Sequence, residues 1–429
     1  MLQQLSLLPT RQAPEADKHK TSGTFIDNLK LPVHRWFRYS AGFSAEWVRS
    51  VLREYKPVTV LDPFAGSGTT LLAAAQERIE CYGFESHPFV GRIANAKLAW
   101  NTPVKDIHAY AELVMRKAKT MSIDISEEPP LLLKCYTEEA LITLCALRES
   151  FSAFKEAMPS RVRKLLWLAI TAILRPCSHA GTAQWQYVLP TKTKARVVAP
   201  LEAFREKVDE IVTDMELFQQ AYAAASSHLI HHDARARYES LDGQIDLVIT
   251  SPPYPNNYDY GDATRLEMTF WHEIRGWGDL QSTVRKHLVR SCSQHAAADK
   301  LILEPLLGLP RLVSIQEEIS TICHTLAAER LHHGGKKPYH LMVAAYFADL
   351  AAVFISLRKA CRKGCRMCFV IGDSAPYGIY VPVDEFLGKL AISAGFTDYS
   401  FEKLRDRNIK WKNRKHRVPL QEGRLWIEG

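Results

Sequence analysis

Residues 58–78 read VTVLDPFAGSGTTLLAAAQER, and the fold is decided there. A short β-branched run, Val58 to Leu61, meets a Gly-rich turn and then an Ala/Leu-rich stretch. That pattern predicts strand, loop and helix in succession. ECYGFES follows as a second short strand closing at Glu85, and PFVGRIANAKLAW as a second helix. Upstream, AEWVRSVLREY after Ser44 has helical spacing and is broken by Lys56-Pro57. Downstream, SHLIHHDAR predicts a strand ending in Asp233, QIDLVITSPPY one ending in a proline turn, and CRMCFVIGD another. HLMVAAYFADLAAVFISLRKACRKG predicts a long helix closed by Gly364, and VPVDEFLGKLAISAGF a helix followed by Gly395. One or two closing strands are expected after Phe396. Alternating strands and helices predict an α/β fold, a doubly wound, Rossmann-like sheet covered on both faces. Ligands in such sheets sit at the carboxyl ends of the strands.

Two long stretches interrupt the alternation. Residues 101–225 are helix-rich, apart from QWQYVLP, and read as a helical insertion; 262–338 read as a second. The core is then divided into 25–100, 226–261 and 339–429, the last with a basic C-terminal segment. Residues 1–24, polar and with two prolines, are expected to form a flexible arm.

The chain has 429 residues, 47% hydrophobic and 24% charged, which is ample for a folded core and excludes a largely disordered or disulfide-stapled protein. A net charge of +8 permits a polyanionic partner. Nine unevenly spaced cysteines read as reduced thiols, and MLQQLSLLPT lacks the basic start of a signal peptide. The most apolar stretch, Leu341 to Leu357, is interrupted by Asp349 and too short to span a bilayer. A cytoplasmic, nucleoid-associated protein is expected.

Five features carry chemistry. Asp62-Pro63-Phe64-Ala65-Gly66-Ser67-Gly68-Thr69-Thr70 brings backbone close to a ligand and leads into a helix N-terminus, where free N–H groups favour an anion. It lacks the lysine of a phosphate-cradling loop and the third glycine of a dinucleotide fingerprint. A nucleoside amino acid such as S-adenosylmethionine suits it better than a nucleotide. Glu85, closing the second strand, can accept both ribose hydroxyls. Asp233 can accept from an adenine amino group or cap a helix. Thr250-Ser251-Pro252-Pro253-Tyr254 is a rigid turn whose prolines donate no N–H. Ser251 and the Pro252 carbonyl can take the two hydrogens of an exocyclic amine, and Tyr254 offers a face for stacking a base. Finally, RDRNIKWKNRKHR (405–417) suits phosphate contacts through Arg405, Arg407, Lys410, Lys412, Arg414, Lys415 and Arg417. Cys361, Cys365 and Cys368 have the spacing of an iron–sulfur loop, but they straddle an apolar strand and read as packed thiols; no metal site is expected.

DPFAGSGTT followed by TSPPY resembles the S-adenosylmethionine-dependent amino-methyltransferases of DNA, which make N4-methylcytosine or N6-methyladenine. The Ser-Pro-Pro-Tyr form resembles their cytosine-N4 members. Residues 34–48, HRWFRYSAGFSAEWV, resemble the segment that closes over the methionine moiety. The resemblance covers roughly 30–100, 228–262 and 340–400. The cofactor motif here precedes the catalytic one, the reverse of the common cytosine-N4 order. The resemblance implies a methyltransferase sheet with S-adenosylmethionine held by Asp62, Pro63, Phe64, Ala65, Gly66, Ser67, Gly68, Thr69, Glu85 and Asp233. It implies catalysis by Ser251, Pro252, Pro253 and Tyr254 on double-stranded DNA, with a cognate restriction endonuclease as a possible companion and the oligomeric state open. Adenine-N6 methylation, methylation of RNA and a non-catalytic DNA-binding subunit are the alternatives.

Overall fold

The computed structural model describes residues 26–40, 42–182, 187–223, 226–256, 258–298, 300–335, 337–407 and 418–429. The expected arm over 1–24 lies outside the described residues. The strands are β1 (Thr59–Asp62), β2 (Glu80–Phe84), β3 (Ala180–Thr182), β4 (Val188–Thr193), β5 (Ser227–Ile230), β6 (Ile245–Thr250), β7 (Cys361–Gly372), β8 (Asp398–Arg407) and β9 (Leu420–Glu428). Seven of them form one sheet in the order β5-β2-β1-β6-β7-β9-β8, while β3 and β4 make a separate hairpin. β5, β2, β1, β6 and β7 run parallel; β9 is antiparallel to both its neighbours. From β1 the chain winds outward to β2 and β5, then crosses to β6 and winds the other way. The switch point lies between β1 and β6, where a doubly wound sheet opens a crevice. The Gly-rich loop leaves β1 there, and the proline turn leaves β6 beside it.

The helices are α1 (Ala45–Tyr55), α2 (Thr69–Gln76), α3 (Pro88–Lys97), α4 (Val104–Ala118), α5 (Pro130–Cys135), α6 (Glu138–Phe154), α7 (Ser160–Cys177), α8 (Pro200–Ala221), α9 (Tyr260–Ala263), α10 (Arg265–Phe270), α11 (Leu280–Thr283), α12 (Ser293–Ala298), α13 (Leu303–Leu307), α14 (Gln316–His332), α15 (Tyr339–Ala360) and α16 (Val383–Ser393). All four residues of β1 are buried, as a parallel sheet covered on both faces requires. Side chains alternate across it. Val60, Leu247, Ile249 and Val370 pack with Trp47 and Leu52 of α1 and Leu71 of α2. Leu61, Val248, Met367 and Phe369 pack with Phe347 and Phe354 of α15 and Phe386 of α16. α15 is long and apolar enough to cross a membrane, but most of it is buried in this core.

α4 to α8 form a third core that reaches the sheet through Phe89 and Ile93 of α3 and Trp36. Leu266, Phe270 and Leu280 join that core, whereas Leu307, Ile319 and Leu326 pack against α15. The 262–338 stretch is therefore shared between two cores. The long helix does not run to Gly364: α15 stops at Ala360, and Cys361 already opposes Ile245 in the sheet. The register then shifts, so that Arg366 opposes Leu247. Gly364 accommodates this extra length at φ +76°, with its N–H donating to the Gly429 carbonyl at 2.8 Å. Cys361, Cys365 and Cys368 are buried on β7.

Candidate active site

A small cleft at the switch point is lined by Tyr39, Phe64, Gly66, Glu85, Ser86, His87, Ser251, Pro253, Tyr260, Leu288 and Val289. The Gly-rich loop, the second-strand carboxylate and the proline turn thus face one space, although they lie far apart in sequence. Tyr39 also lines an adjoining pocket with Asn28, His34, Ser67, Thr69 and Lys97.

The loop is shaped by its two glycines, at φ +54° and +89°. Side chains rarely adopt that backbone. A Cβ on Gly66 would meet the Tyr39 ring at 3.1 Å, so the glycine admits Tyr39 rather than a ligand at that point. Ala65 donates to the Phe84 carbonyl at 2.9 Å, fastening the loop to β2. Asp62 does not face the cleft. It is buried and accepts from the Thr250 hydroxyl at 2.6 Å, the Thr70 hydroxyl at 2.7 Å and the Phe64 N–H at 3.1 Å. Asp62 therefore joins the end of β1 to the end of β6 and to α2. Burial pushes its carboxyl up to about 6 despite these donors. Pro63 and Ala65 are buried under the loop, while Phe64 lines the cleft.

Glu85 accepts from the Gly66 N–H at 2.8 Å and from the His87 N–H at 2.7 Å. Burial raises its carboxyl to about 7, against the pull of those two donors. Asp233 lies beyond the end of β5 and is gripped by Arg235, at 2.6 Å and 3.0 Å, which also reaches Asp349 at 3.2 Å. It does not line the cleft, because its oxygens are turned to Arg235. Burial pushes its carboxyl up, but the Arg235 guanidinium outweighs that and holds it below the usual carboxylate range. The loop between is tied down by His231, whose ring nitrogen meets the Glu85 carbonyl oxygen at 3.0 Å.

In the proline turn, Ser251 donates its hydroxyl proton to the Val370 carbonyl on β7, at 3.1 Å. Its side chain also hydrogen-bonds with the Tyr254 phenol, and the oxygen keeps acceptor capacity. Pro252 is buried and Pro253 lines the cleft. Burial and the nearby Glu422 carboxylate push the Tyr254 phenol far above its ordinary range, so it stays neutral. The turn runs into Asp259, which caps α9 and pairs with Arg285 at 2.6 Å.

Two basic residues expected on a phosphate-binding face have partners within the sheet, Arg405 on its surface and Arg407 turned inward. Arg405 pairs with Glu422 at 2.8 Å. Arg407 is mostly buried, lies 5.0 Å over the Tyr254 ring and donates to the Asp373 carbonyl at 2.7 Å. Both lie on β8, a sheet strand next to β9. Lys410, Lys412, Arg414, Lys415 and Arg417 lie outside the described residues.

The sequence reading missed Lys97, His87 and Tyr260, and did not single out Tyr39 within 34–48. Lys97 is fully buried and donates to the His34 carbonyl at 2.9 Å; among the described residues no carboxylate is paired with it. Burial lowers its ammonium to about 7 and, with the Lys97 charge, lowers His34 to about 3. Among the described residues the His34 Nε2 has no hydrogen-bond partner. A buried cation beside an unpartnered ring nitrogen and the start of α2 suits a carboxylate. With Glu85 poised for hydroxyl donors at the other end, the donor set fits a nucleoside joined to an amino acid. S-adenosylmethionine would be held by Glu85, the Gly66–Thr69 backbone and Lys97.

Residues 12–96 match the family model described as DNA methylase, of the N6/N4 methyltransferases. The chain is similar to the Type II methyltransferase M.BsoBI of Geobacillus stearothermophilus, 27% identical over 431 residues, covering 89% of this chain and 82% of the relative. It is 26% identical over 410 residues to M.AvaI of Nostoc sp., covering 87% and 81%. Similarity to M.MvaI of Kocuria varians, 23% identical over 284 residues, covers 60% and 62%. Glycine loop, buried acidic partner and proline turn meet in one cleft, and the matched model spans the first two. The chain is thus similar to the N4/N6 amino-methyltransferases of DNA, through the family model over residues 12–96 and through the Type II methyltransferases over most of its length.

Proposed function

We propose that the protein methylates the exocyclic N4 amine of cytosine at specific sites in double-stranded DNA, as the modification enzyme of a restriction–modification pair. The observation that carries this reading is Ser251, at the end of β6, facing Glu85 and Gly66 across one cleft. The relatives are named as Type II methyltransferases, which supports the modification context.

The bound cofactor supplies an electrophilic methyl group. The residues of the chain do the rest. The amine of cytosine is a poor nucleophile because its lone pair is delocalised into the ring. The Ser251 hydroxyl hydrogen is engaged by the Val370 carbonyl, so its oxygen meets the amine as an acceptor. The Pro252 carbonyl is the second acceptor. Taking both N–H hydrogens favours a pyramidal nitrogen with a localised lone pair, without prior deprotonation. Asp62 fixes the β6 end relative to the glycine loop, which sets the line of attack. A stacked base cannot reach this cleft, so the cytosine must leave the duplex, and Tyr254 offers it a ring.

Mass spectrometry of nucleosides from DNA treated with the protein tests the assignment. N4-methylcytosine is expected. N6-methyladenine alone would overturn the base while leaving methylation of DNA as the reaction.

A further inference from the structure

Arg407 is the residue whose placement the reaction has not yet used. Its side chain leaves β8, crosses β9 beside Glu422 and ends at β7. There Nη1 donates to the Asp373 carbonyl at 2.7 Å, and Nε lies 3.9 Å from the Glu422 carboxylate. The guanidinium sits 5.0 Å over the Tyr254 ring. Room for it is made by Gly372. A Cβ there would come within 2.6 Å of Nη1 and 3.1 Å of Cζ. The side chain is only 11% exposed. A cation held from three strands against one aromatic ring fixes that ring's orientation.

We infer that Arg407 is a positioning residue for methyl transfer, acting through Tyr254: it clamps the ring from the far edge of the sheet so that the displaced base meets a fixed stacking surface. This rests on the functional reading above, in which Tyr254 stacks on the target base. The clamp explains why a basic residue at the end of β8 is turned inward, and why β7 ends in glycine.

The test is transfer of labelled methyl from S-adenosylmethionine to DNA by the full-length protein, with cofactor affinity measured by calorimetry. Arg407→Ala should lower kcat by about 10- to 100-fold, the range for a displaced catalytic group, with cofactor Kd unchanged. Arg407→Lys should recover only part, since an ammonium lacks the planar fork. Gly372→Ala should mimic Arg407→Ala, and the double variant should be no worse than either, because the displaced side chain is already gone. Arg407→Ala should add nothing to Tyr254→Ala. Additive losses in both cycles, or wild-type kcat in Arg407→Ala, would overturn the inference. Counting label rather than one product keeps the two readings separate: the methylated base tests the function, and the cycles test the clamp.

Discussion

Glu85 and Lys97 are costly residues to keep, and their costs fall on opposite sides of neutrality. The folded Glu85 carboxyl titrates at about 7, against an ordinary value of 4.5. Between those values the folded state binds the extra proton, so stability falls as pH rises through this window. The folded Lys97 ammonium titrates at about 7, against an ordinary 10.5. Between those values the unfolded chain binds the extra proton, so stability rises with pH. Near pH 7 each group in the free protein is about half charged, and both burial penalties are close to their full size. A ligand giving hydroxyl donors to Glu85 and a carboxylate to Lys97 relieves both. The thermal upshift produced by S-adenosylmethionine should therefore be largest near neutral pH and shrink toward pH 5 and pH 10. Glu85→Gln should raise the melting temperature of the free protein at pH 8 while weakening cofactor binding about tenfold, the loss of one charge-assisted hydrogen bond. A variant that is less stable and binds normally would show that Glu85 serves the fold alone. Glu85 was legible in the sequence because a strand-end carboxylate after a glycine loop has a chemical purpose. Lys97 was not, since a lysine on a helix reads as a solvated charge until its neighbours are known.

At the level of elements, the segment before α1 is held by one buried carboxylate. Asp214 of α8 accepts from the Val33 N–H at 3.1 Å, the Trp36 indole at 3.0 Å and Arg35 at 2.5 Å and 3.0 Å. It has no exposure to solvent. This clasp sets Tyr39 over Gly66, and so sets the roof of the cofactor pocket. Asp214→Ala leaves Arg35 without its partner and two buried N–H donors unmatched, and should cost about 3–5 kcal/mol of stability by chemical denaturation. Asp214→Asn keeps the shape and should cost less, but should still weaken cofactor binding. Unchanged cofactor affinity in Asp214→Asn would separate the clasp from the pocket. Strand and helix order was readable from periodicity, and Ser44 as the cap of α1 needed only local chemistry. The clasp was not readable: its partners lie 178 to 181 residues apart, and no local pattern encodes that pairing. The same holds for Arg407, whose direction depends on β8, β9 and β7 lying side by side.

Across the whole molecule, the candidate cleft occupies the strand ends, and on the proposed function sequence discrimination falls to what surrounds it. α4 to α8 form a body of their own, tied to the catalytic loop by Arg175, which pairs with Glu267 at 2.5 Å and donates to the Ala263 carbonyl at 2.7 Å. Arg161, Lys164, Lys192 and Arg196 of this body are exposed, whereas Lys194 is turned inward onto the Arg175 carbonyl at 2.5 Å. Beside them a cleft combines Lys155, Arg163 and the Arg92–Glu273 ion pair with Phe151, Trp167 and Trp271. Cations next to aromatic walls suit a nucleic-acid backbone and its bases. We propose that the 101–225 body reads the DNA site, while the basic run at 410–417 grips phosphate without regard to sequence. The two roles separate by salt. Neutralising Lys410, Lys412, Arg414, Lys415 and Arg417 should weaken binding to all duplexes alike. It should also reduce the slope of log K against log salt by about 0.9 for each phosphate no longer neutralised. Neutralising Arg161, Lys164, Lys192 and Arg196 should change the set of methylated sites, read by methylation-sensitive sequencing of DNA from expressing cells. Exchange of residues 101–225 for the matching stretch of a relative with a different site should carry that site with it. An exchanged protein that stays active and methylates the original site would assign recognition elsewhere, with the 289–338 helices against α15 as the remaining surface.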